Sequence, residues 1–202
     1  MRKNKIIKQD AIEMKEKIKN VRYGIIILVV AMFVSIPLCW KNFNCYNDDG
    51  IQHIARAFLT GEAMKTGESF TVLSSLENGF GYSWDLFYGP LSSFWIAVFG
   101  IVFNNVLIGY KMVLFLGILF SGIAMYYCAK KITDDKNVGV FASILYMVMP
   151  YHLTDMYIRG SVGEFLSFIF IPLVFLGMYQ LFHEEKKGWP LVIGAVRINF
   201  NT

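Results

Sequence analysis

Long apolar runs separated by short polar stretches dominate the pattern of residues along this chain. The first uncharged run, 23–40, has 18 residues, about enough as a helix to cross a hydrocarbon layer of ~30 Å. Similar runs occupy 107–129, 138–154 and 165–183, and a shorter fifth run occupies 189–196. The pattern predicts an all-α, polytopic transmembrane helical bundle with about four complete spans and a truncated fifth.

We predict that the region between the first two runs, 41–106, forms a long outer loop, of which residues 41–85 are polar and mixed. Asp48 or Asp49 is a candidate N-cap for a short helix that runs to about Met64. Apolar residues recur on one side of that helix, at Ile51, Ile54, Phe58 and Leu59. We therefore expect amphipathic helices in this loop.

One apolar segment, 91–103, decides the topology, because its 13 residues are few for a span. If it does not span, five of the basic residues between 111 and 187 lie inside and two, Lys111 and Arg159, lie outside. If it does span, every one of these residues changes side. Because Lys and Arg are in excess on the cytoplasmic side of membrane proteins, we predict a juxtamembrane helix here and a cytoplasmic N-terminus.

Composition excludes an ordinary water-soluble enzyme, a disordered chain and a coiled coil. Apolar residues make up 55% of the 202 residues, charged residues only 17%, and the mean hydropathy is +0.47. Soluble domains carry about 25% charged residues. The numbers therefore agree with several membrane spans.

Charge and cysteine usage narrow the setting further. The net charge of +4 comes almost wholly from residues 1–22, which carry eight Lys or Arg and three acids. This is a basic cytoplasmic arm in front of a span, as in a plasma-membrane protein, and predicts no nucleic-acid partner. Cys39, Cys45 and Cys128 form no disulfide framework, so free thiols are predicted, with a Cys39–Cys45 pair as the alternative.

The end of the chain is unusual for a membrane protein. The membrane domain, predicted at 23–196, gives way to a polar tail at 197–202 whose Arg and Asn residues are costly in lipid. A span cannot be completed from the eight apolar residues before it. We hypothesise a truncated or frameshifted product of a longer polytopic protein.

Two clusters of polar residues could carry chemistry near the outer face. In a helix, Asp49, His53 and Arg56 stand at i, i+4 and i+7 and share one face. A carboxylate there could act as a general base or bind a divalent cation, and an arginine could hold a phosphate. The alternative is a helix cap with a solvated polar face.

The second cluster, 150–164, lies between two predicted spans. Arg159 and Glu164 either form a second wall of the same outer pocket or pair at the membrane boundary. Lys111 begins an apolar span, where it either binds a lipid phosphate or extends its amine to the interface.

Four motifs together resemble a known family. They are Asp48-Asp49-x-x-x-His53-x-x-Arg56, the aromatic stretch 81–91, Tyr110-Lys111 and the stretch 150–164. This order resembles bacterial polytopic membrane proteins labelled "6-pyruvoyl-tetrahydropterin synthase-related", a label that implies no pterin activity. The family is similar to the N-terminal half of GT-C glycosyltransferases, and the resemblance covers about 20–195.

The resemblance implies a reaction and a set of site residues. A polyprenyl-phosphate-linked sugar would be transferred to an unknown glycan, lipid or protein acceptor on the extracytoplasmic side of the bilayer. By position, Asp49 matches the catalytic or metal-binding carboxylate, with Asp48 beside it. Lys111 and Arg159 match phosphate contacts, and His53, Arg56 and Glu164 line the site. No cofactor is implied beyond a divalent cation.

The chain also departs from the GT-C pattern. GT-C proteins have many more spans and later outer loops that complete the donor site, so the resemblance also fits an inactive chain. The rival hypothesis is a non-enzymatic membrane protein, a transporter-like or assembly subunit, in which the polar clusters are interfacial ion pairs.

Overall fold

The computed structural model describes residues 2–41, 47–69, 71–73, 79–83, 86 and 88–183, and within them it is all-helical apart from one isolated β-bridge. The predicted all-α class is therefore confirmed. The helices are α1 (Arg2–Val34), α2 (Gly50–Thr66), α3 (Pro90–Val102), α4 (Val106–Thr133), α5 (Lys136–Met147), α6 (Pro150–Thr154), α7 (Val162–Ser167) and α8 (Ile171–His183). A 3₁₀ turn covers Ile36–Cys39 and a π turn covers Asp155–Arg159. Cys45 and the predicted fifth run and tail lie outside the described residues.

Two helical segments within the described residues are long and apolar enough to cross a membrane, namely Val106–Thr133 and Val162–His183, which contains α7 and α8. The stretches predicted as spans at 23–40 and 138–154 are not single helices. Proline explains both interruptions, because its ring clashes with the preceding turn and it has no N–H to donate. Pro37 lies in the 3₁₀ turn after α1, and Pro150 begins a new helix after the bend that ends α5.

Helix α4 forms the centre of the bundle and runs antiparallel to α1. Near one end of the bundle, the Tyr23 hydroxyl of α1 donates a 2.7 Å hydrogen bond to Asn137 at the start of α5. At the other end, Lys111 Nζ of α4 donates a 2.9 Å hydrogen bond to the Trp40 carbonyl. We call this second end the Lys111 end; the basic residues that close α4, Lys130 and Lys131, lie at the opposite end.

Three glycines of α4 let neighbouring helices approach closely. A Cβ atom at Gly109 would lie 2.3 Å from the Ile96 carbonyl of α3. One at Gly117 would lie 2.4 Å from the ring of Phe165, and one at Gly122 would lie 2.6 Å from the sulfur of Met147. The absence of side chains at these positions therefore sets how α3, α7 and α5 pack on the central helix.

Helix α2 turns its small and polar side inward, whereas two of its four predicted apolar-side residues are exposed and Ile54 packs partly buried against the core. Ile51 is 60% exposed and Phe58 is 53% exposed. The buried side consists of Gly50, His53, Arg56, Ala57, Thr60, Gly61 and Ala63. Small residues allow close contact with α3, as at Gly61 beside Ala97. The apolar pattern located the helix correctly, but it does not mark the buried side.

Candidate functional site

Two backbone hydrogen bonds join the start of α2 to the end of the π turn. The Asp48 N–H donates to the Ile158 carbonyl at 2.9 Å, and the Asp49 N–H donates to the Arg159 carbonyl at 2.8 Å. Gly160 ends the π turn with φ +67°, where a Cβ atom would lie 2.9 Å from Gly50 N. The two polar segments that the sequence analysis singled out therefore lie side by side.

Asn47 and Tyr110 anchor this junction to α4, and neither was among the predicted site residues. Asn47 Nδ2 donates a 3.4 Å hydrogen bond to the Tyr110 hydroxyl, and both side chains are buried. In the sequence these two residues could have been found only as neighbours of predicted site residues, since Asn47 precedes the two aspartates and Tyr110 precedes Lys111. The contact places the junction at the Lys111 end of the bundle.

Arg159 is the centre of a polar network. Its Nη1 atom lies 2.6 Å from Glu164 Oε2 and donates a 3.0 Å hydrogen bond to the Tyr151 hydroxyl. The same hydroxyl donates a short hydrogen bond to Glu164 Oε1. Of the two alternatives for these residues, the Arg159–Glu164 pair is therefore present, and Tyr151 is a partner that the sequence did not reveal.

Asp155 is a buried acid beside this network. Its side chain has 0% exposure, and Arg159 Nη1 is 3.6 Å from its Oδ1. Burial raises the pKa of Asp155 to about 7; the nearby negative charges of Glu164 and Asp49 raise it as well, and Arg159 opposes them. An acidic residue four positions before Arg159, within a largely apolar stretch, was the available sequence signal.

His53 and Arg56 lie inward, against α3 and the residues before it. Each is only 4% exposed, so the alternative of a solvated polar face is wrong for these two residues. The Arg56 guanidinium lies 4.4 Å from the centroid of the Tyr88 ring, and the His53 ring lies 5.3 Å from the same centroid. Desolvation on burial, with the nearby Arg56 charge, lowers the pKa of His53 to about 4, so the imidazole is neutral at pH 7.

The two aspartates differ in exposure. Asp48 is exposed, whereas Asp49 is half-buried at the N-cap position of α2, where its side chain makes no capping hydrogen bond. Asp49 is close enough to Asp155 and His53 to shift the pKa of both. Nowhere in the described part of the chain do three His, Cys, Asp or Glu side chains come together as metal ligands.

Sequence comparison places the chain in a family. The profile of a family described as "6-pyruvoyl-tetrahydropterin synthase related domain; membrane protein" matches residues 86–200, more than half of the chain. The chain belongs to this family. The match contains Lys111, Asp155, Arg159 and Glu164, whereas Asp49 lies before it.

A relative from Lactococcus lactis subsp. cremoris (strain MG1363), described as an uncharacterized protein, is 27% identical over 172 residues. The match covers 83% of this chain and 28% of the relative, so the chain spans less than a third of that protein's length. No solved structure matches the chain significantly.

Proposed function

We propose that this membrane domain belongs to a glycosyltransferase that moves a sugar from a polyprenyl-phosphate donor to a cell-envelope acceptor. The observation that carries the proposal is the pair of backbone hydrogen bonds that hold Asp48 and Asp49 against Ile158 and Arg159. They join the backbones of Asp49, which carries a half-buried carboxylate, and Arg159, which carries a guanidinium, at the Lys111 end. A base and a phosphate contact are two groups that transfer from a phosphate-linked sugar needs.

In the proposed reaction, Asp49 takes the proton of the acceptor hydroxyl. The acceptor oxygen forms a new bond to the anomeric carbon while the bond from that carbon to the phosphate oxygen breaks. The electron pair of the broken bond leaves on the polyprenyl phosphate. Arg159 and Lys111 balance the charge of that leaving group, since charge-assisted hydrogen bonds to phosphate are the strong ones.

His53, Arg56 and Asp48 have supporting roles in this proposal. The Tyr88 ring packs against His53 and Arg56. In this proposal the two side chains fix the position of α2 through that contact, and they do not contact the sugar. Asp48 is exposed and adds negative charge at the rim, where a divalent cation could bind. Glu164 orients Arg159 through their 2.6 Å ion pair.

The proposal includes a topology in the bacterial plasma membrane. The basic arm before Tyr23 and the lysines that close α4 lie on the cytoplasmic side, as the distribution of Lys and Arg in membrane proteins favours. The Lys111 end lies on the extracytoplasmic side. The segment 138–154 crosses the bilayer in spite of its bend at Pro150, and the bent helix leaves Asp155 at the outer end.

A second candidate is a non-enzymatic membrane protein in which the same network only stabilises the fold. The partners of the two cations favour it: Arg159 already pairs with Glu164, and Lys111 already bonds to the Trp40 carbonyl.

The decisive experiment compares Asp49→Asn with Glu62→Gln in the native host. Glu62 is an exposed acid of α2 that pairs with Lys65, so it is a matched control outside the site. If the protein is a glycosyltransferase, Asp49→Asn should change the glycan composition of the cell envelope. Its protein abundance and thermal stability should stay at the level of Glu62→Gln. An unchanged envelope at normal abundance would exclude Asp49 as the base, and a loss of abundance alone would favour the structural role.

A further inference from the structure

Arg159 lies between two carboxyl groups of very different exposure. Its Nη1 atom is 2.6 Å from Oε2 of Glu164, whose side chain is 34% exposed, and 3.6 Å from Oδ1 of Asp155, whose side chain is fully buried. The first distance is that of a hydrogen-bonded ion pair, and the second is too long for a hydrogen bond. One guanidinium is therefore shared unequally by a surface acid and a buried acid.

The buried acid makes no hydrogen bonds of its own. Neither side-chain oxygen of Asp155 has a hydrogen-bond partner among the described residues. An ionised carboxylate in that setting is far more costly than a neutral carboxyl group, because it has lost its water and gained no donor. The arrangement with Arg159 on Glu164 therefore fits the neutral form of Asp155.

We propose that Asp155 is a positioning residue that places Arg159 according to its own protonation state. When Asp155 is neutral, the guanidinium pairs with Glu164 and Tyr151 at the surface. When Asp155 is ionised, it draws the guanidinium inward by about 1 Å, the difference between the present contact and a normal ion-pair hydrogen bond. The Glu164 carboxylate then keeps only its bond from Tyr151.

The groups that face Asp155 make both states accessible near neutral pH. Glu164 on α7 and Asp49 before α2 favour the neutral form, whereas Arg159 on the π turn favours the ionised form. The Tyr110 hydroxyl of α4 and the Tyr151 hydroxyl of α6 also lie within electrostatic range. These opposing charges agree with a pKa of about 7 for Asp155, so a small change in pH redistributes the two states.

The proposal goes beyond glycosyl transfer and does not depend on it. The Arg159 guanidinium, which any anion at the Lys111 end would meet, changes position when the buried Asp155 gains or loses its proton. A purely structural ion pair between Arg159 and Glu164 would keep one geometry across the same pH range.

The test is nuclear magnetic resonance of ¹⁵N-labelled arginine side chains in the purified protein in lipid nanodiscs. The signal of Arg159 is identified by its absence from Arg159→Lys. We expect its chemical shift to move between about pH 5 and about pH 9 with a midpoint near 7. No movement of this signal across that range overturns the proposal.

Three variants make the test specific. Asp155→Asn should abolish the transition, because the amide cannot ionise, and a transition that persists in a folded Asp155→Asn protein overturns the proposal. Glu164→Gln should keep the transition and lower its midpoint by about one pH unit, since it removes both a repulsive charge and the competing partner. If Asp155→Asn does not fold, an unchanged or raised midpoint in Glu164→Gln overturns the proposal. Glu62→Gln, on an exposed pair, should match the unmodified protein.

Discussion

The backbone N–H of Asp49 donates a 2.8 Å hydrogen bond to the carbonyl of Arg159. This bond fixes the start of α2 against the end of the π turn, and the bond between Asp48 and Ile158 beside it makes the junction a two-point contact. The main-chain bonds fix where the Asp49 and Arg159 side chains begin, and the guanidinium itself is oriented by Glu164 and Tyr151. The junction therefore depends on Gly160, which lets the two segments approach closely.

Gly160→Ala should destabilise the protein by on the order of 3 kcal/mol. Gly160 has φ +67°, and a Cβ atom there would lie 2.9 Å from both Gly50 N and Asn47 Nδ2. Gly67→Ala is the matched control, since Gly67 has φ +75° but no atom within 4 Å of the added carbon. It should cost only about 1 kcal/mol, the strain of the left-handed conformation. Equal losses in denaturant unfolding from mixed micelles would show that the junction is not closely packed.

Asp155→Asn should remove a pH dependence of stability. The pKa of Asp155 is about 7 in the folded protein against an ordinary value of 3.8, so the folded state holds the proton more tightly than the unfolded state. The contribution of Asp155 to the free energy of unfolding should therefore decrease as the pH rises from about 4 to about 7, by at most about 1.4 kcal/mol per pH unit, while the lowered pKa of His53 acts in the opposite direction below about pH 6.5.

Unfolding measured over that pH range checks the Asp155 contribution. The free energy of unfolding of the unmodified protein minus that of Asp155→Asn should decrease as the pH rises, whereas the same difference for Glu62→Gln, on an exposed pair, should stay constant. A difference between the unmodified protein and Asp155→Asn that does not change with pH would contradict the raised pKa.

Gly117→Ala and Gly24→Ala should have opposite effects on stability. The added carbon at Gly117 would lie 2.4 Å from the ring of Phe165, which is fully buried, so the ring or the helices must shift and we expect a loss of about 1–3 kcal/mol. Gly24 lies in α1 with no atom within 4 Å, and alanine there should raise stability by about 0.5–1 kcal/mol through its better helix propensity. Thermal unfolding monitored by circular dichroism measures both. A neutral Gly117→Ala would mean that α4 and α7 are loosely packed.

Cysteine labelling should place the Lys111 end outside the cell. Cys39 is exposed at that end, whereas Cys128 is buried. With Cys45 and Cys128 replaced by serine, Cys39 should react with a membrane-impermeant maleimide in intact cells. With Cys39 also replaced, Lys131→Cys should react only after permeabilisation. The reverse pattern would invert the topology and place the polar junction in the cytoplasm.

The local pattern of the sequence predicted helices well where nothing interrupts them. The central helix, predicted over 107–129, covers Val106–Thr133, because Asn105 caps its first turn by accepting from Leu107 N and its last turn ends at Asp134 in a left-handed conformation. At 138–154 the apolar run is not one helix, since α5 ends at Met147 and a new helix begins at Pro150. A prediction from apolar content alone misses this interruption, although Pro150 could be read in the sequence.

The candidate site shows a similar division. Asp49, Arg159 and Glu164 could be selected from the sequence as rare charges in an apolar chain. There was no reason in the sequence to select Asp155 or Tyr151 above its neighbours. Asp155 matters because it is buried, and both residues matter because they contact the Arg159 guanidinium. The sequence also did not predict that His53 and Arg56 point inward. Helix periodicity places both on one face, but it does not indicate which residues pack against that face. Tyr88 covers it, and that contact joins α2 to residues far along the chain.

The sequence by itself determined a helical membrane protein with a basic N-terminal arm and scarce charges, because hydropathy and charge act locally along the chain. Only the tertiary structure decided which of those charges meet. Asp49 meets Arg159 because α4 carries the chain away from the Lys111 end and α5 returns it there. Asp155 is buried there at the start of the π turn, directly after the short helix that begins at Pro150. These contacts join distant segments, and no local periodicity encodes them.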